Sequence, residues 1–446
     1  MSKLKWLYPG LKFKRWIFLA FLGFVMLLMG IIVIIGPKNI AALSRESFLI
    51  LSDLFGTYSR YNGVIIFLVG SVMMWLGTKK AFKSIVSAIL PKDEGSMAEI
   101  LYNRRQMKKG PKVVALGGGT GLPAVLRGLK PYTGNITAVV AVSDDGGSSG
   151  KLRGELDMLP PGDVRNCLLA LADAEPLLEQ IFGYRFQKGK DLSGHNVGNL
   201  IIAALNENLG FLESIKALSK ILAVKGKVLP VTDRQLTLEA LYESGKVAKG
   251  ESQIPKATEK IKSIRLKDQE VKVLEEVVTA INDADAIVIG PGSLYTSIIP
   301  NLLVPGVVGA IEKSNAPKIW VANLMTQPGE TDNYSLMDHL NAIKEHTGSY
   351  LIDSVITNVY NGFDHDTLKK YKEENQEPVK YNKREIEDLG IKIISGEYAL
   401  THSVIRHDHE ALGRGIMKEI VTEKVKNDLN LSTISLASLL KSREKK

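Results

Sequence analysis

The chain has 446 residues, 45% of them hydrophobic and 24% charged, which excludes global disorder and leaves ample length for a buried core. One cysteine, Cys167, excludes a disulfide framework and any multi-thiolate zinc site, and it suits a reducing compartment. The net charge of +9 is unevenly spread: residues 1–110 hold 16 Lys+Arg against 5 Asp+Glu, and residues 111–446 hold 41 against 43. The near-neutral bulk argues against nucleic acid as a partner.

Two uncharged stretches open the chain, 22 residues from Trp16 to Pro37 and 18 from Tyr61 to Thr78. A spanning helix needs roughly 20 apolar residues, so the first passes easily and the second at the lower limit. The length of the first, and the second behind it, fit a cleaved signal peptide poorly. Neither stretch shows a polar face at helical period, as core helices of a soluble domain would. Lys3, Lys5, Lys12, Lys14 and Arg15 precede the first stretch, and Lys79, Lys80 and Lys83 follow the second. The connecting loop has only Lys38, Arg45 and Arg60, offset by Glu46 and Asp53. The excess of positive charge predicts a two-helix membrane protein, in the bilayer at 16–37 and 61–78, with both termini and the main domain cytoplasmic. Trp16, Tyr61 and Trp75 stand near the span ends, where amphipathic rings prefer to lie. The expected organisation is a transmembrane hairpin over 1–78, a basic juxtamembrane linker over 79–110, an α/β domain over 111–425 and a tail over 426–446.

From Lys112 the pattern becomes short apolar runs, each ending in a Gly/Ser/Asp loop and followed by a helical segment. Strands are expected at 112–116, 136–142, 286–289 and 318–323, with a helix after the first running to about Lys130. Strands alternating with helices predict an α/β fold, a mostly parallel sheet with helices on both faces. Such sheets bind ligands beyond the ends of their strands, and that edge gathers the Gly-rich loops. Between these strands, 226–232, 237–241 and 247–250 have the turn spacing of a meander. Asp163 is placed to cap a helix over 164–172. Ser193-Gly194-His195-Asn196 opens another helix, continuing to Leu205.

Several loops could hold an anionic ligand. Gly117-Gly118-Gly119-Thr120-Gly121 allows backbone N–H groups to approach an anion at a helix N-terminus. It has neither the Lys-Ser/Thr pair of a Walker loop nor the third glycine of a dinucleotide fingerprint, and a plain strand–helix turn is the alternative. Asp144 and Asp145, at a strand end, could accept ribose hydroxyls, hold Mg²⁺ against a pyrophosphate, or serve only as turn residues. His195 could act in acid–base chemistry, though a cap or core hydrogen bond is the commoner role. His407 and His409 flank Asp408 without a further ligand cluster, which reads as solvated surface. The candidate ligand contacts are Gly118, Gly119, Thr120 and Gly121 after the first strand, then Asp144, Asp145, Ser148, Ser149, Asp163, Asn166, His195, Asn196 and Asn199. Gly290, Pro291, Gly292, Ser293, Tyr295 and Asn323 complete the set. Asp144 and Asp145 are the candidate metal ligands, with Mg²⁺ the one cofactor they would suit.

These residues fall within strings that resemble the bacterial gluconeogenesis factors, relatives of 2-phospho-L-lactate transferase. The strings are GGGTGL at 117–122, DDGGSSGKLR at 144–153, PPGDVRN at 160–166 and SGHNVGNL at 193–200. They continue with KGKVLP at 225–230, GPGSLYTSIIPNLLVPG at 290–306, NLMTQPGETDNY at 323–334 and DHL at 338–340. The resemblance runs from Lys112 to about Ile420. It implies a Rossmann-like core binding a UDP-sugar, notably UDP-N-acetylglucosamine, and a role in cell shape and in envelope or central-carbon metabolism on gluconeogenic substrates. Tyr295 would then be free to contact base or sugar. A nucleotide-sugar-binding regulator without turnover is the leading expectation, and a transferase, with Asp144, Asp145 and Asp163 placing Mg²⁺, is the alternative. Such proteins ordinarily start close to the first strand, whereas about 110 residues precede it here. Self-association is an open expectation.

Overall fold

The computed structural model describes residues 14–35, 60–89 and 107–427, apart from 174–175, 258, 269, 360–362, 364 and 402–403. The basic flank through Lys12, the connecting loop with Lys38 and Arg45, residues 90–106 with Arg104 and Arg105, and the tail from 428 lie outside the described residues. Contacts divide the chain into two units, one ending at Arg104 and one beginning at Arg105.

The first unit pairs α1 (Lys14–Ile35) with α2 (Arg60–Ile89). Glycines recur every seven residues on the facing sides, at Gly23 and Gly30 and at Gly63, Gly70 and Gly77. A Cβ at any of them would run into the opposite helix, so the backbones approach as only glycine permits. The seven-residue interval keeps these contacts on one seam, as a heptad does. The outer faces stay apolar, with Phe18, Phe21 and Trp75 exposed. Arg15–Ile35 and Tyr61–Ser84 are long and apolar enough to cross a membrane. At one end the Lys80 ammonium lies 4.3 Å from the Trp16 ring centroid, and Lys79 lies 4.7 Å from that of Trp75. Rings and cations of this kind suit a membrane–water boundary. The second helix runs on to Ile89, so the expected linker begins as helix rather than loop.

The second unit is built on a seven-stranded parallel sheet in the order β10-β9-β8-β7-β1-β2-β3. Its members are β1 (Val113–Gly117), β2 (Ile136–Val140), β3 (Lys227–Pro230), β7 (Ala286–Ile289), β8 (Lys318–Val321), β9 (Ser354–Asn358) and β10 (Lys392–Gly396). The central strands β1 and β7 are buried throughout, which is why they read as continuous apolar runs. Strand order reverses between β1 and β7. Right-handed crossovers in the two directions place helices on opposite faces and leave a crevice at the reversal. All four expected strands form, that at 286–289 with the expected ends and the others with ends displaced by at most two residues.

After β1 comes α3 (Leu122–Leu129), and after β2 come α4 (Gly147–Leu156), α5 (Pro161–Leu171), α6 (Pro176–Gly183), α7 (Val197–Leu209) and α8 (Phe211–Ile221). The cap of α5 is Pro160, so Asp163 sits in the first turn and not at the cap position assigned from sequence. Asn196 does cap α7, accepting the Gly198 N–H at 2.9 Å. The expected meander divides: β3 joins the main sheet, whereas β4 (Leu238–Tyr242), β5 (Val247–Lys249) and β6 (Ile261–Leu266) form a separate antiparallel sheet. Farther on are α9 (Glu275–Asn282), α10 (Ile299–Leu303), α11 (Val307–Lys313), α12 (Leu336–Thr347), α13 (His365–Glu373) and α14 (Lys383–Glu387). A two-stranded hairpin, β11 (Ala399–Thr401) and β12 (Ile405–His407), precedes α15 (His409–Asn427). Helices α15 and α3 cross with Gly128 against Gly413, which draws the start of α15 toward the β1 loop.

Candidate functional site

The loops after β1 and β7 meet at the strand-order reversal. A Cβ on Gly121 would overlap the Pro291 carbonyl, and one on Gly118 would come within 2.6 Å of the Ser297 hydroxyl oxygen. Gly119 is pressed on Asp163 in the first turn of α5, and the Asp163 carboxylate accepts the Gly119 N–H. The glycine is therefore required by the approach of α5, a reason the sequence alone did not reveal. Asn166 donates to the Gly119 carbonyl at 3.0 Å, and its own Oδ1 accepts from Arg165 at 2.7 Å. Across the gap, Asn323 holds the Gly292 peptide by both edges, at 3.1 and 2.9 Å. Gln327 donates to the Ser293 hydroxyl at 2.9 Å.

These loops floor a cavity of about 1140 Å³. Eight of the residues expected at a ligand site line it: Gly119, Thr120, Gly121, Asn166, Pro291, Gly292, Ser293 and Asn323. The remaining wall comes from residues 324–327 of the 323–334 string and from positions not assigned to a ligand site from sequence. Arg127 reaches it from α3, Tyr371 from α13, and Leu400, Ile405, Arg406 and His407 from the β11–β12 hairpin, with His409 at the start of α15. The hairpin is held by apolar packing of Ile405 with Leu324 and Met325, and by the Ile405 N–H donating to the Tyr371 hydroxyl at 2.9 Å. The lining contains two arginines and two histidines and no aspartate or glutamate. Such a cavity favours an anion.

The assignment of His407 to solvated surface is corrected. Burial lowers its imidazole pKa to about 4, and its Nδ1 is enclosed with no hydrogen-bond partner. Asp408 caps α15, accepting the Glu410 and Ala411 N–H groups at 2.9 and 3.2 Å. Only His409 of this trio is exposed, and it faces the cavity. The reading of Tyr295 as a ligand contact also fails: it is 2% exposed, its ring packs beside His346, and its hydroxyl bonds that of Tyr334 at 2.9 Å. The helical turn Leu294–Ile298 directs it into the core. Gly290 lies at the turn after β7 with φ +74, close to the Val321 carbonyl, and does not line the cavity.

The carboxylates gather on the other side of the β1 loop. Asp144 accepts from the Gly146 N–H at 2.9 Å, and Asp145 accepts from the Ser252 N–H at 2.8 Å. The second contact ties the small antiparallel sheet to the site. Burial and the charge of Asp144 raise Asp163 to about 6. Burial, then Asp144, Glu330, Asp145 and Asp163, raise Glu251 to about 8. Glu330 is raised by burial to about 7 while it accepts from Thr296 at 3.2 Å. Among the described residues no three His, Cys, Asp or Glu side chains converge as a metal cage. Beside this group, Ser148 bonds His195 Nδ1 at 3.1 Å and accepts from Asn199 at 3.2 Å, and Asn199 accepts from Arg165 at 2.7 Å. Ser149 accepts the Gly162 N–H at 3.2 Å. Asn196 and Asn199 are thus engaged by protein groups, as is Nδ1 of His195, and none of the three lines the cavity.

The family model described as 2-phospho-L-lactate transferase CofD matches residues 113–399. A gluconeogenesis factor of Halalkalibacterium halodurans is 49% identical over 315 residues, covering 70% of this chain and 97% of its own. That of Bacillus subtilis is 46% identical over 304 residues, 68% of this chain and 96% of its own. A Clostridium acetobutylicum relative, 40% identical, matches 95% of this chain and 93% of its own, so the N-terminal segment is not peculiar to this protein. A crystal structure of a Bacillus halodurans protein of the UPF0052 family superposes with a TM-score of 0.66 at 47% identity, covering 69% of this chain and 99% of that one.

Proposed function

We propose a role that starts from family membership: the chain belongs to the gluconeogenesis factor family, whose sequence model is described as 2-phospho-L-lactate transferase. The protein binds a UDP-sugar of the UDP-N-acetylglucosamine kind and acts as a regulator of envelope, cell-shape and carbon metabolism during gluconeogenic growth. The observation that carries the ligand class is the cavity wall, where Arg127 and Arg406 line the same cavity as the two glycine loops with no carboxylate among the lining residues. A diphosphate placed on the Gly119–Gly121 and Gly292–Ser293 backbones would meet cations, and its nucleoside or sugar would lie against Tyr371 and the β11–β12 hairpin. The hairpin of α1 and α2 anchors the protein in the cell membrane, with both termini and the α/β unit cytoplasmic.

A second reading is favoured by the acidic side. Asp144 raises the cost of ionising Asp163, an arrangement that a divalent cation would relieve. Mg²⁺ commonly uses one or two carboxylates together with substrate phosphates, so it would need no larger protein cage than these aspartates. With Mg²⁺ bound by Asp144 and Asp163, or by Asp145, the cation would neutralise phosphate charge at the Gly119 loop, and a phospholactate-type transfer becomes feasible. Calorimetry of residues 105–446 with UDP-N-acetylglucosamine, with and without Mg²⁺, tests both readings when the mixture is then examined for products. Binding with the ligand intact supports the regulator, conversion supports the transferase, and no binding contradicts the ligand assignment. Carbonate washing and protease protection of the full chain in membranes test the anchor and its orientation.

A further inference from the structure

Helix α6 carries exposed apolar side chains and one exposed acid, Glu179, and the loop that follows it carries exposed basic ones. Leu177 and Ile181 stand one turn apart on α6, Tyr184 follows just past its end, and the three are 62%, 43% and 53% exposed. Buried Phe182 supplies the opposite, inward face. Beyond the stripe the chain forms a finger: the Phe186 N–H donates to the His195 carbonyl, the Val197 N–H to that of Tyr184, and Tyr184 packs edge-on against Phe186 at 5.4 Å. Arg185, Lys188 and Lys190 are exposed along it, against Asp191 as its acid.

We propose that the Leu177–Ile181–Tyr184 stripe and the cations of the finger dock on an anionic lipid surface. The stripe would sink into the headgroup boundary, and the cations would meet lipid phosphates, a pairing that each Lys or Arg strengthens near an anionic leaflet. A bilayer is the occupant because the chain carries its own apolar helix pair, and because three cations bordering an apolar stripe complement anionic headgroups. The proposal rests on the anchoring reading only for the nearness of that bilayer. The finger's base holds His195, bonded to Ser148 beside the acidic group, so lipid contact would be mechanically continuous with the site.

The test uses residues 105–446, since the crystallised Bacillus halodurans relative consists of this unit almost alone. The fragment should sediment with vesicles of phosphatidylcholine containing roughly one third phosphatidylglycerol, and not with phosphatidylcholine alone. Raising salt from ~0.1 M to ~1 M should release it. Lys188→Gln with Lys190→Gln should weaken vesicle binding about tenfold or more. Leu177→Asp with Ile181→Asp should abolish it, all with unchanged melting temperature. Absence of binding to anionic vesicles, or variants that bind like the parent, would overturn the proposal. A dimer in solution that Leu177→Asp dissociates would overturn it too, by assigning the stripe to a second copy. Failure of the anchor is separate: carbonate would then strip the full chain from membranes whatever the vesicles report.

Discussion

The two sides of the β1 loop differ in sign. On the cavity side the charged side chains are Arg127 of α3 and Arg406 of β12, far apart in sequence, with neutral His407 and exposed His409 following Arg406 in the chain. On the other side Asp144, Asp145, Asp163, Glu251 and Glu330 crowd one another, and three of them are raised toward neutrality. Gly119 belongs to both surroundings, since it lines the cavity and its α-carbon is pressed on Asp163. The difference teaches that the motif carboxylates do not line the cavity, whereas the charged side chains that do line it are arginines from outside the glycine motifs.

Four perturbations break or sharpen that contrast. The largest effect is expected from Gly119→Val. Its Cβ would overlap Asp163, so the substitution should lower stability by about 1–3 kcal/mol or more and remove ligand binding with it. A melting temperature unchanged from the parent would show that α5 yields. Next come Arg406→Ala and Arg127→Ala. Loss of a charged hydrogen bond is worth ~1.5–3 kcal/mol, so each should weaken UDP-sugar binding at least tenfold with little change in melting temperature. Equal affinities in calorimetry would remove the cationic wall from the site. Asp144→Asn should act through the metal. With Mg²⁺ present, affinity should fall about tenfold; with EDTA it should hold or tighten, because a carboxylate behind an anion repels it. Weakening that ignores the metal would assign Asp144 to direct ligand contact.

The smallest effect is on pH dependence. Glu251 and Glu330 titrate in the folded protein at about 8 and about 7, well above an unfolded glutamate near ~4.3. The folded state therefore binds more protons between those limits. The stability these groups contribute is complete at low pH and is lost as pH rises through 7 to 8. His407, held down to about 4, has the opposite slope, but only below an unfolded value near ~6.5. The melting temperature should consequently fall by a few degrees between pH ~6.5 and ~8.5. Glu251→Gln should flatten that fall, and an unaltered slope would show that Glu251 is not the group responsible.

The sheet was legible because β1, β2, β7 and β8 are apolar runs ending in glycine-rich loops, and burial on both faces leaves that trace. The floor of the cavity was legible for the same reason, since its loops are the strand ends. Arg127, Tyr371 and Arg406 were not, because an isolated charge or ring on an exposed element resembles ordinary surface. They acquire a common direction only when α15 crosses α3 at Gly128 and Gly413 and the β11–β12 hairpin closes on Tyr371. Tyr295 was misread for a related reason. Its neighbours in sequence line the cavity, and only the turn at Leu294–Ile298 reveals that its ring points inward.

The central claim is that the cavity recognises a nucleotide through its diphosphate. The most direct measurement compares uridine with UDP on residues 105–446 by calorimetry at one salt concentration. Two added phosphates meeting a wall of arginine and histidine should tighten binding by about a hundredfold or more, roughly 2.7 kcal/mol. Uridine binding as tightly as UDP would contradict the claim, because the cations of the wall would then have no part in recognition.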